Sequence, residues 1–276
     1  MSINMVEEPK YLAKKIHEAN VTVHDIEVKY YSLFHPEVFN KREQRRLTLA
    51  LNEANNLIDE NHKKALDFGA GTGNITSKLL ALGYQVTAVD ISPEMCKALR
   101  KTFQSQINAG DLDVVNLPVE DINFDDASFD FVSCYSVLHH LPNYEGTLRK
   151  LCDLSRNGGV VYLDHEASPY FWNPEPTMLG NIVKSVYLHS NPIINSLHFQ
   201  IIGFTVPNVD YGLSDYWHKK EHSLDHKKIQ RVFQEKGFEF ARRIDYHGEG
   251  TWVPNPIFTV YKHVCRPETS LWIAKK

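Results

Sequence analysis

The 276-residue sequence predicts an α/β fold with a doubly wound, mostly parallel sheet covered by helices on both faces. Short apolar runs at residues 85–90, 129–135 and 160–164 alternate with segments that have the spacing of amphipathic helices. The run at 129–135 is apolar on both faces, as expected of a central strand. In such sheets ligands bind off the carboxyl ends of the strands, so the functional residues are expected there.

A glycine-rich turn joins the first predicted strand to a helix that starts near residue 75. It begins at Asp67 and places Gly69, Gly71 and Gly73 at alternate positions, where positive φ angles let the backbone approach a ligand closely. A dinucleotide cradle needs a small residue where Asn74 stands, and the sequence lacks the Gly-Lys-Ser/Thr of a P-loop. The carboxylate of Asp67 would repel a pyrophosphate. The turn therefore predicts a nucleotide-like cofactor other than a dinucleotide.

A second acid, Asp90, ends the strand at residues 85–90. A carboxylate has the two acceptor oxygens that a pair of vicinal ribose hydroxyls requires. The alternative role is an N-cap for the next helix. Ser92 and Pro93 form a sufficient cap signal without it, so ribose binding is the favoured interpretation.

The residues from Asp67 to Gly73 (D-F-G-A-G-T-G) resemble motif I of the class I S-adenosylmethionine-dependent methyltransferases, of the small-molecule type 11, 12 and 25 groups. The segment 123–141 resembles the same family, with an acidic loop, Ser-Phe-Asp, an apolar strand and Leu-His-His-Leu. The resemblance covers residues 64–165 by motif and 224–276 by element order. It implies a Rossmann-like seven-stranded sheet with an antiparallel last strand at residues 270–276, and S-adenosyl-L-methionine as cofactor.

The resemblance also implies a set of cofactor-binding residues. The third strand departs from the family pattern, because Leu117, Pro118 and Val119 stand where many relatives have Gly-Asp-Ala. The Val119 backbone and either Glu120 or Asp121 are the expected substitutes at the adenine, and a solvated loop is the alternative role for the two acids. An N-terminal residue such as Arg46 is a candidate for the methionine carboxylate, with helix packing as the alternative. The expected cofactor-binding residues are Asp67, Gly69, Ala70, Gly71, Gly73, Asp90, Ile91, Val119, Glu120, Tyr135 and Ser136.

Three histidines are the candidates for catalysis. His165 follows the fifth strand between two acids and is the first choice as a general base. His139 and His140 are expected to open a helix near Pro142, where they would contact cofactor or substrate or serve as capped, half-buried histidines. These histidines and Glu166 lack metal-ligand spacing, so the sequence predicts no metal site.

The chain is expected to form one large α/β domain with additions. Residues 1–60 are interpreted as an N-terminal helical cap with helices at 23–36 and 40–57, residues 61–166 as the cofactor-binding core, and residues 224–276 as the C-terminal part of the sheet. The last part is expected to hold a helix at 224–236 capped by Ser223, a strand at 238–246 and a loop at 252–257. Residues 167–223 are interpreted as a helical lid that follows the fifth strand and contains a helix at 178–187. Their aromatic residues favour an apolar or aromatic acceptor, and a homodimer interface is the alternative role.

Composition limits the classes of function. The net charge of −4 argues against a nucleic-acid binder. Four scattered cysteines, no signal peptide and no apolar run that could span a bilayer predict a cytoplasmic protein without an integral membrane segment. The predicted function is methyl transfer to a small acceptor through oxygen, nitrogen or carbon. The alternatives are a non-catalytic cofactor-binding partner module and a different group transfer from a modified cofactor.

Overall fold

The computed structural model describes residues 7–58, 63–188, 210–219, 223–248 and 255–276. Seven strands form one sheet in the order β3-β2-β1-β4-β5-β7-β6, and β7 runs antiparallel to both of its neighbours. This arrangement confirms the predicted fold class, including the antiparallel last strand. The strands are β1 (Lys64–Phe68), β2 (Gln85–Asp90), β3 (Leu112–Asn116), β4 (Phe129–Tyr135), β5 (Ser155–Ala167), β6 (Phe240–Tyr246) and β7 (Thr269–Lys275).

Helices precede the sheet, connect its strands and extend beyond β5. Two short 3₁₀ turns, Val119–Asp121 and Leu138–His140, follow β3 and β4. The helices in the described ranges are α1 (Glu7–Glu27), α2 (Tyr31–Phe34), α3 (Pro36–Phe39), α4 (Lys41–Asn55), α5 (Asn74–Ala81), α6 (Pro93–Thr102), α7 (Gln104–Ala109), α8 (Tyr144–Leu154), α9 (Met178–Leu188), α10 (Tyr211–Ser214), α11 (His226–Glu235) and α12 (Asn255–Val264). None of them is long and apolar enough to cross a membrane.

The core lies on both faces of the sheet because successive strand residues point to opposite sides. Leu66, Val132 and Leu163 pack under α8 and α11 on one face. Ala65 and Phe131 pack under α4, α5 and α6 on the other. Strands covered in this way must be apolar at every position, which explains the continuous apolar run at 129–135.

The N-terminal helices differ from the expectation. The helix predicted at residues 23–36 is wrong, because α1 begins at Glu7 and ends at Glu27, and a turn separates it from α2. The second predicted helix is confirmed as α4. The Asn40 side chain caps it by accepting hydrogen bonds from the backbone N–H groups of Arg42 and Glu43.

The turn after β4 and the C-terminal part bring further corrections. His139 and His140 lie in a 3₁₀ turn, and the next helix begins at Tyr144. Asp225, not Ser223, caps α11, because its carboxylate accepts from the first-turn N–H groups. The loop expected at 252–257 is wrong for its last three residues, which begin α12. Its first three residues, 252–254, lie outside the described ranges.

The segment predicted as a lid is described at residues 167–188, 210–219 and 223. Helix α9 confirms the helix expected there and packs on α12, where Val183 meets the side chains of Phe258 and Tyr261. Leu179 and Ile182 of the same helix are exposed. The lid role itself remains a prediction, and residues 189–209 and 220–222 lie outside the described part of the chain.

Candidate functional site

The glycine turn forms a backbone cradle at the carboxyl end of β1. The backbone N–H groups of Gly69 and Ala70 both donate to the Val89 carbonyl oxygen, at 2.8 and 3.0 Å, which ties the turn to β2. Gly71 has a φ of 53°, and a Cβ built on it would meet no atom within 4 Å. Gly73, with a φ of 94°, precedes α5 and has no side chain to cap it. The N-terminus of α5 therefore lacks a cap from its N-cap residue, as is common at anion- and nucleotide-binding helix ends.

Packing fixes two of these glycines, Gly69 and Gly73, independently of any ligand, and a Cβ on Gly73 would lie 2.4 Å from the Phe103 ring. A Cβ on Gly69 would lie 2.2 Å from a Val137 methyl carbon, and the φ of 72° already favours glycine. Val137 begins the turn that carries His139 and His140. The cradle and the histidine turn are therefore in direct contact.

Asp67 lies beneath the cradle with 1% of its surface exposed. Its carboxylate accepts hydrogen bonds from the hydroxyls of Thr76, at 2.6 Å, and Ser133, at 3.0 Å. Burial raises the pKa of Asp67 to about 6, although both hydroxyls oppose that change. The geometry gives Asp67 a role in joining β1, α5 and β4, and direct contact with a cofactor remains a prediction.

Asp90 connects the cradle to the start of α6. One carboxylate oxygen accepts from the Gly71 N–H and the other from the Ser92 N–H, each at 2.8 Å. Each oxygen can still accept a second hydrogen bond. The Ser92 hydroxyl oxygen accepts from the Met95 N–H and caps α6, so the predicted cap does not depend on Asp90.

Helix α1 covers this edge of the sheet. The Asp25 carboxylate accepts from the Ser92 hydroxyl at 2.5 Å and from the Glu94 N–H at 3.3 Å. Sequence reasoning did not identify Asp25, because the contact spans 67 residues and no motif includes it.

The residues expected at the adenine occupy the ends of β2 and β3. Ile91 directly follows Asp90 and is half-buried. Val119 is buried, and its carbonyl oxygen accepts from the Lys150 ammonium at 2.9 Å. Glu120 is largely exposed and lies 3.5 Å from the His17 imidazole. Their contact with a cofactor stays a prediction.

Two strained residues lie at the ends of neighbouring central strands. Ser136 after β4 has a φ of 58° and His165 in β5 a φ of 62°, and Ala127 is the one other non-glycine residue with positive φ in the described ranges. The Ser136 N–H donates to the Asp164 carbonyl oxygen at 2.8 Å. The His165 ring stacks on the Tyr135 ring with centroids 5.1 Å apart. Strain of this kind is concentrated at functional sites.

A β-bulge produces the conformation at His165. Leu163 pairs with Trp272 and Glu166 pairs with Ser270, so β5 carries one residue more than β7 between these pairs. The bulge breaks the alternation of side chains. Asp164 and Glu166 consequently join two different clusters.

The first cluster surrounds Arg46. One of its terminal nitrogens donates to Glu43 at 2.6 Å and to Asp164 at 2.8 Å. Its guanidinium lies over the Tyr246 ring, 3.9 Å from the centroid, and the Tyr135 hydroxyl donates to Glu43 at 3.3 Å. Two buried carboxylates thus already hold Arg46, the residue that the sequence suggested for the methionine carboxylate.

The second cluster surrounds His139 and His140. His139 Nδ1 lies 2.7 Å from one carboxylate oxygen of Glu166, whose other oxygen accepts from the N–H groups of Val137 and Leu138. His140 Nδ1 lies 2.8 Å from the Ser214 carbonyl oxygen. Burial lowers the pKa of His139 to about 4 and that of His140 to about 3, and it raises the pKa of Glu166 to about 7.

Residues 210–219 complete this second cluster. Trp217 holds the segment in place, because its backbone N–H donates to the His139 carbonyl oxygen and its indole N–H to the Leu141 carbonyl oxygen. Asp215 lies 3.4 Å from His140 Nδ1, and the His218 ring lies 5.5 Å from the His139 ring. Neither Asp215 nor His218 was identified from the sequence, because each is brought in from beyond β5.

The central part of the chain is similar to known methyltransferases. Residues 66–163 match the family model described as "Methyltransferase domain". A curated relative from Xanthomonas axonopodis pv. citri, "Ubiquinone biosynthesis O-methyltransferase", is 35% identical over 101 residues, which are 36% of this chain and 41% of the relative. The chain thus spans about two-fifths of the length of the curated relatives that it matches.

Two solved structures share the fold over nearly the whole chain. A candidate sarcosine dimethylglycine methyltransferase from Galdieria sulphuraria has a TM-score of 0.55 at 12% identity and covers 90% of this chain and 97% of its own. A methyltransferase from Thermotoga maritima, described as a possible histamine N-methyltransferase, has a TM-score of 0.51 at 13% identity. The match covers 92% of this chain and 99% of the Thermotoga chain. Residues 66–163 thus match a methyltransferase domain, and the seven-stranded sheet has the fold of these solved methyltransferase structures.

Proposed function

We propose that the chain transfers the methyl group of S-adenosyl-L-methionine to an oxygen atom of a small acceptor. The observation that carries the proposal is the cradle formed by Gly69, Gly71 and Gly73, with Asp90 holding the turn. It combines a turn that is open beside Gly71, a helix whose N-cap residue is glycine, and the Asp90 carboxylate bonded to the turn, and these features support the proposal.

The residues at the cradle suit this cofactor. The open space beside Gly71 leaves room for an approaching ligand. Asp90 retains one acceptor position on each oxygen, which matches two vicinal hydroxyls. Ser136 lies where β4 ends, and Val137 packs on Gly69, so the donor's methyl group is expected between the cradle and the histidine turn.

When bound, the cofactor supplies a methyl group already activated on a sulfonium, so the protein has to align an acceptor and remove one proton. His165 is the proposed base. It is half-buried, follows Asp164 in the bulge and has a ring that stacks on Tyr135. As the acceptor oxygen forms its bond to the methyl carbon, the bond from that carbon to sulfur breaks. The acceptor's proton moves to the imidazole of His165.

The choice of an oxygen acceptor rests on the named relative. The Xanthomonas protein is named as an O-methyltransferase, and its matched residues lie within the methyltransferase domain. Aromatic rings near the histidine turn support an apolar or aromatic acceptor. Phe171 and Trp172 meet at 4.8 Å, and both lie against His218.

Calorimetric titration with S-adenosylhomocysteine tests the cofactor site. Asp90→Asn should weaken binding about 10- to 100-fold, because hydrogen bonds to a charged acceptor are replaced by weaker neutral ones. Asp113→Asn is the matched control, since Asp113 is an exposed residue of β3 and should leave affinity unchanged. Equal affinity of the Asp90→Asn variant and the unaltered protein would remove the basis of the proposal.

Turnover on a panel of small hydroxyl compounds tests the reaction. His165→Gln should lower kcat at least tenfold while the affinity for S-adenosylhomocysteine stays within about twofold, since a general base contributes about 10²- to 10⁴-fold. Unchanged kcat in this variant would rule out His165 as the base. Tight cofactor binding without methyl transfer to any acceptor would favour the non-catalytic module.

A further inference from the structure

The histidine turn and α10 bring three metal-binding side chains together. His139, His140 and Asp215 each offer one donor atom, and these atoms lie within 4.8 Å of one another. In the described part of the chain this is the one group of three or more histidine, cysteine or acidic side chains with such spacing. The third member, Asp215, directly follows α10 and lies 75 residues beyond His140.

Hydrogen bonds orient both imidazoles for a ligand. The Ser214 carbonyl oxygen can only accept, so His140 Nδ1 carries the proton and Nε2 keeps a lone pair. Glu166 holds His139 through the same ring nitrogen, because one of its carboxylate oxygens lies 2.7 Å from Nδ1. With the proton on Nδ1, the lone pair lies on Nε2. A carboxylate or carbonyl behind each imidazole is the arrangement that supports histidine ligands of metal ions.

Asp215 approaches the pair from the side of His140 Nδ1. Its carboxylate lies 3.4 Å from that nitrogen, and about half of its side chain is exposed.

We propose that His139, His140 and Asp215 bind a divalent transition-metal ion, with Zn²⁺ the best match. Two imidazoles and one carboxylate are a ligand set that zinc accepts, and three protein ligands leave a further position open. Zinc–ligand bonds of about 2.0–2.2 Å require donor atoms closer together than 4.8 Å. The half-exposed Asp215 side chain has room to make this approach.

A role for the ion follows if the proposed function holds. The histidine turn begins at Val137, which packs on Gly69 of the cofactor cradle. An acceptor hydroxyl bound at the open position would have its pKa lowered by the ion, which makes its oxygen a better nucleophile. Metal binding itself does not depend on the methyl-transfer proposal.

The test is metal titration of the full chain after chelator treatment, without cofactor. We expect one equivalent of Zn²⁺ by calorimetry. With Co²⁺ as a probe, we expect visible absorption bands typical of low coordination number. Asp215→Asn should weaken Zn²⁺ binding at least tenfold, and Glu166→Gln, which alters the support of His139, about 10- to 100-fold. Asp210→Asn is the matched control, because asparagine caps α10 as well as aspartate does.

The outcomes separate this proposal from the proposed function. Stoichiometric binding that is weakened in Asp215→Asn or Glu166→Gln and retained in Asp210→Asn supports the site. Absence of stoichiometric Zn²⁺ binding in the unaltered chain, or equal affinity in all variants, overturns it. Far-UV circular dichroism identifies any variant that fails to fold. If Asp215→Asn fails to fold, the Zn²⁺ affinity of Glu166→Gln tests the site in its place. Titration with S-adenosylhomocysteine remains a separate measurement, so either proposal can fail alone.

Discussion

Replacing Asp67 by asparagine should change how the stability of the protein depends on pH. The carboxylate is 1% exposed and is held by the hydroxyls of Thr76 and Ser133. Burial raises its pKa from 3.8 to about 6 in the folded protein. The folded state therefore binds this proton more tightly than the unfolded state does, and ionisation of Asp67 destabilises the fold.

The sign and size of this pH effect follow from the linkage between proton binding and folding. Between pH 3.8 and pH 6 the folded state loses stability as pH rises, and above pH 6 the full cost is present. The gap between 3.8 and about 6 corresponds to about 3 kcal/mol, at about 1.4 kcal/mol per pH unit. About 1.4 kcal/mol of this cost develops between pH 5 and pH 8. Asparagine carries no charge, so Asp67→Asn should gain that amount relative to the unaltered protein over the same interval.

Urea unfolding at pH 5 and pH 8, followed by tryptophan fluorescence, measures the difference. At each pH, the unfolding free energy of the unaltered protein is subtracted from that of the variant, and the two differences are compared. The contributions of titrating groups that both proteins share, such as Glu166, cancel in this comparison. Asp113→Asn applies the same substitution to an exposed side chain and reports the effect of the exchange itself. A gap that stays constant, or moves against the variant as pH rises, would refute the argument for a buried, destabilising carboxylate.

Two further predictions concern the packing of the site. Arg46→Met should destabilise the protein by about 3–5 kcal/mol in urea unfolding at pH 8, because it leaves two buried carboxylates without their cation. A loss below about 1 kcal/mol would contradict the claim that these ion pairs stabilise the fold. Gly69→Ala should cost about 2 kcal/mol or more, because the residue keeps positive φ and its Cβ meets Val137. Combining it with Val137→Ala should cost less than the sum of the single changes, and strictly additive losses would show that the contact is unimportant.

The sequence was sufficient for the central part of the fold because local patterns determine it. Strands covered on both faces are apolar at every position, and the glycine turn marks the passage from β1 to α5. The cap of α6 at Ser92 was equally local. Helix α12 was misinterpreted as a loop because of Pro254 and Pro256. A proline in the first turn of a helix lacks only an N–H that would have no partner there, so Pro256 does not prevent the helix.

The candidate site was only partly predictable because many of its contacts join residues that are far apart in the sequence. Asp90 and the glycines belong to a short motif, and the structure places them in contact. The ion pair of Arg46 with Asp164 joins residues 118 apart, and Asp215 reaches His140 from beyond β5. Such pairs depend on how helices dock on the sheet, and no local spacing in the sequence specifies them.

The bulge at His165 keeps the two acids of one strand end apart. By offsetting one residue in β5, it directs Asp164 to the structural ion network and Glu166 to the histidine turn. In an unbroken strand these alternate positions would point to the same face, and one environment would hold both carboxylates. The extra residue thus gives each carboxylate its own set of hydrogen-bond partners, although only two positions separate them.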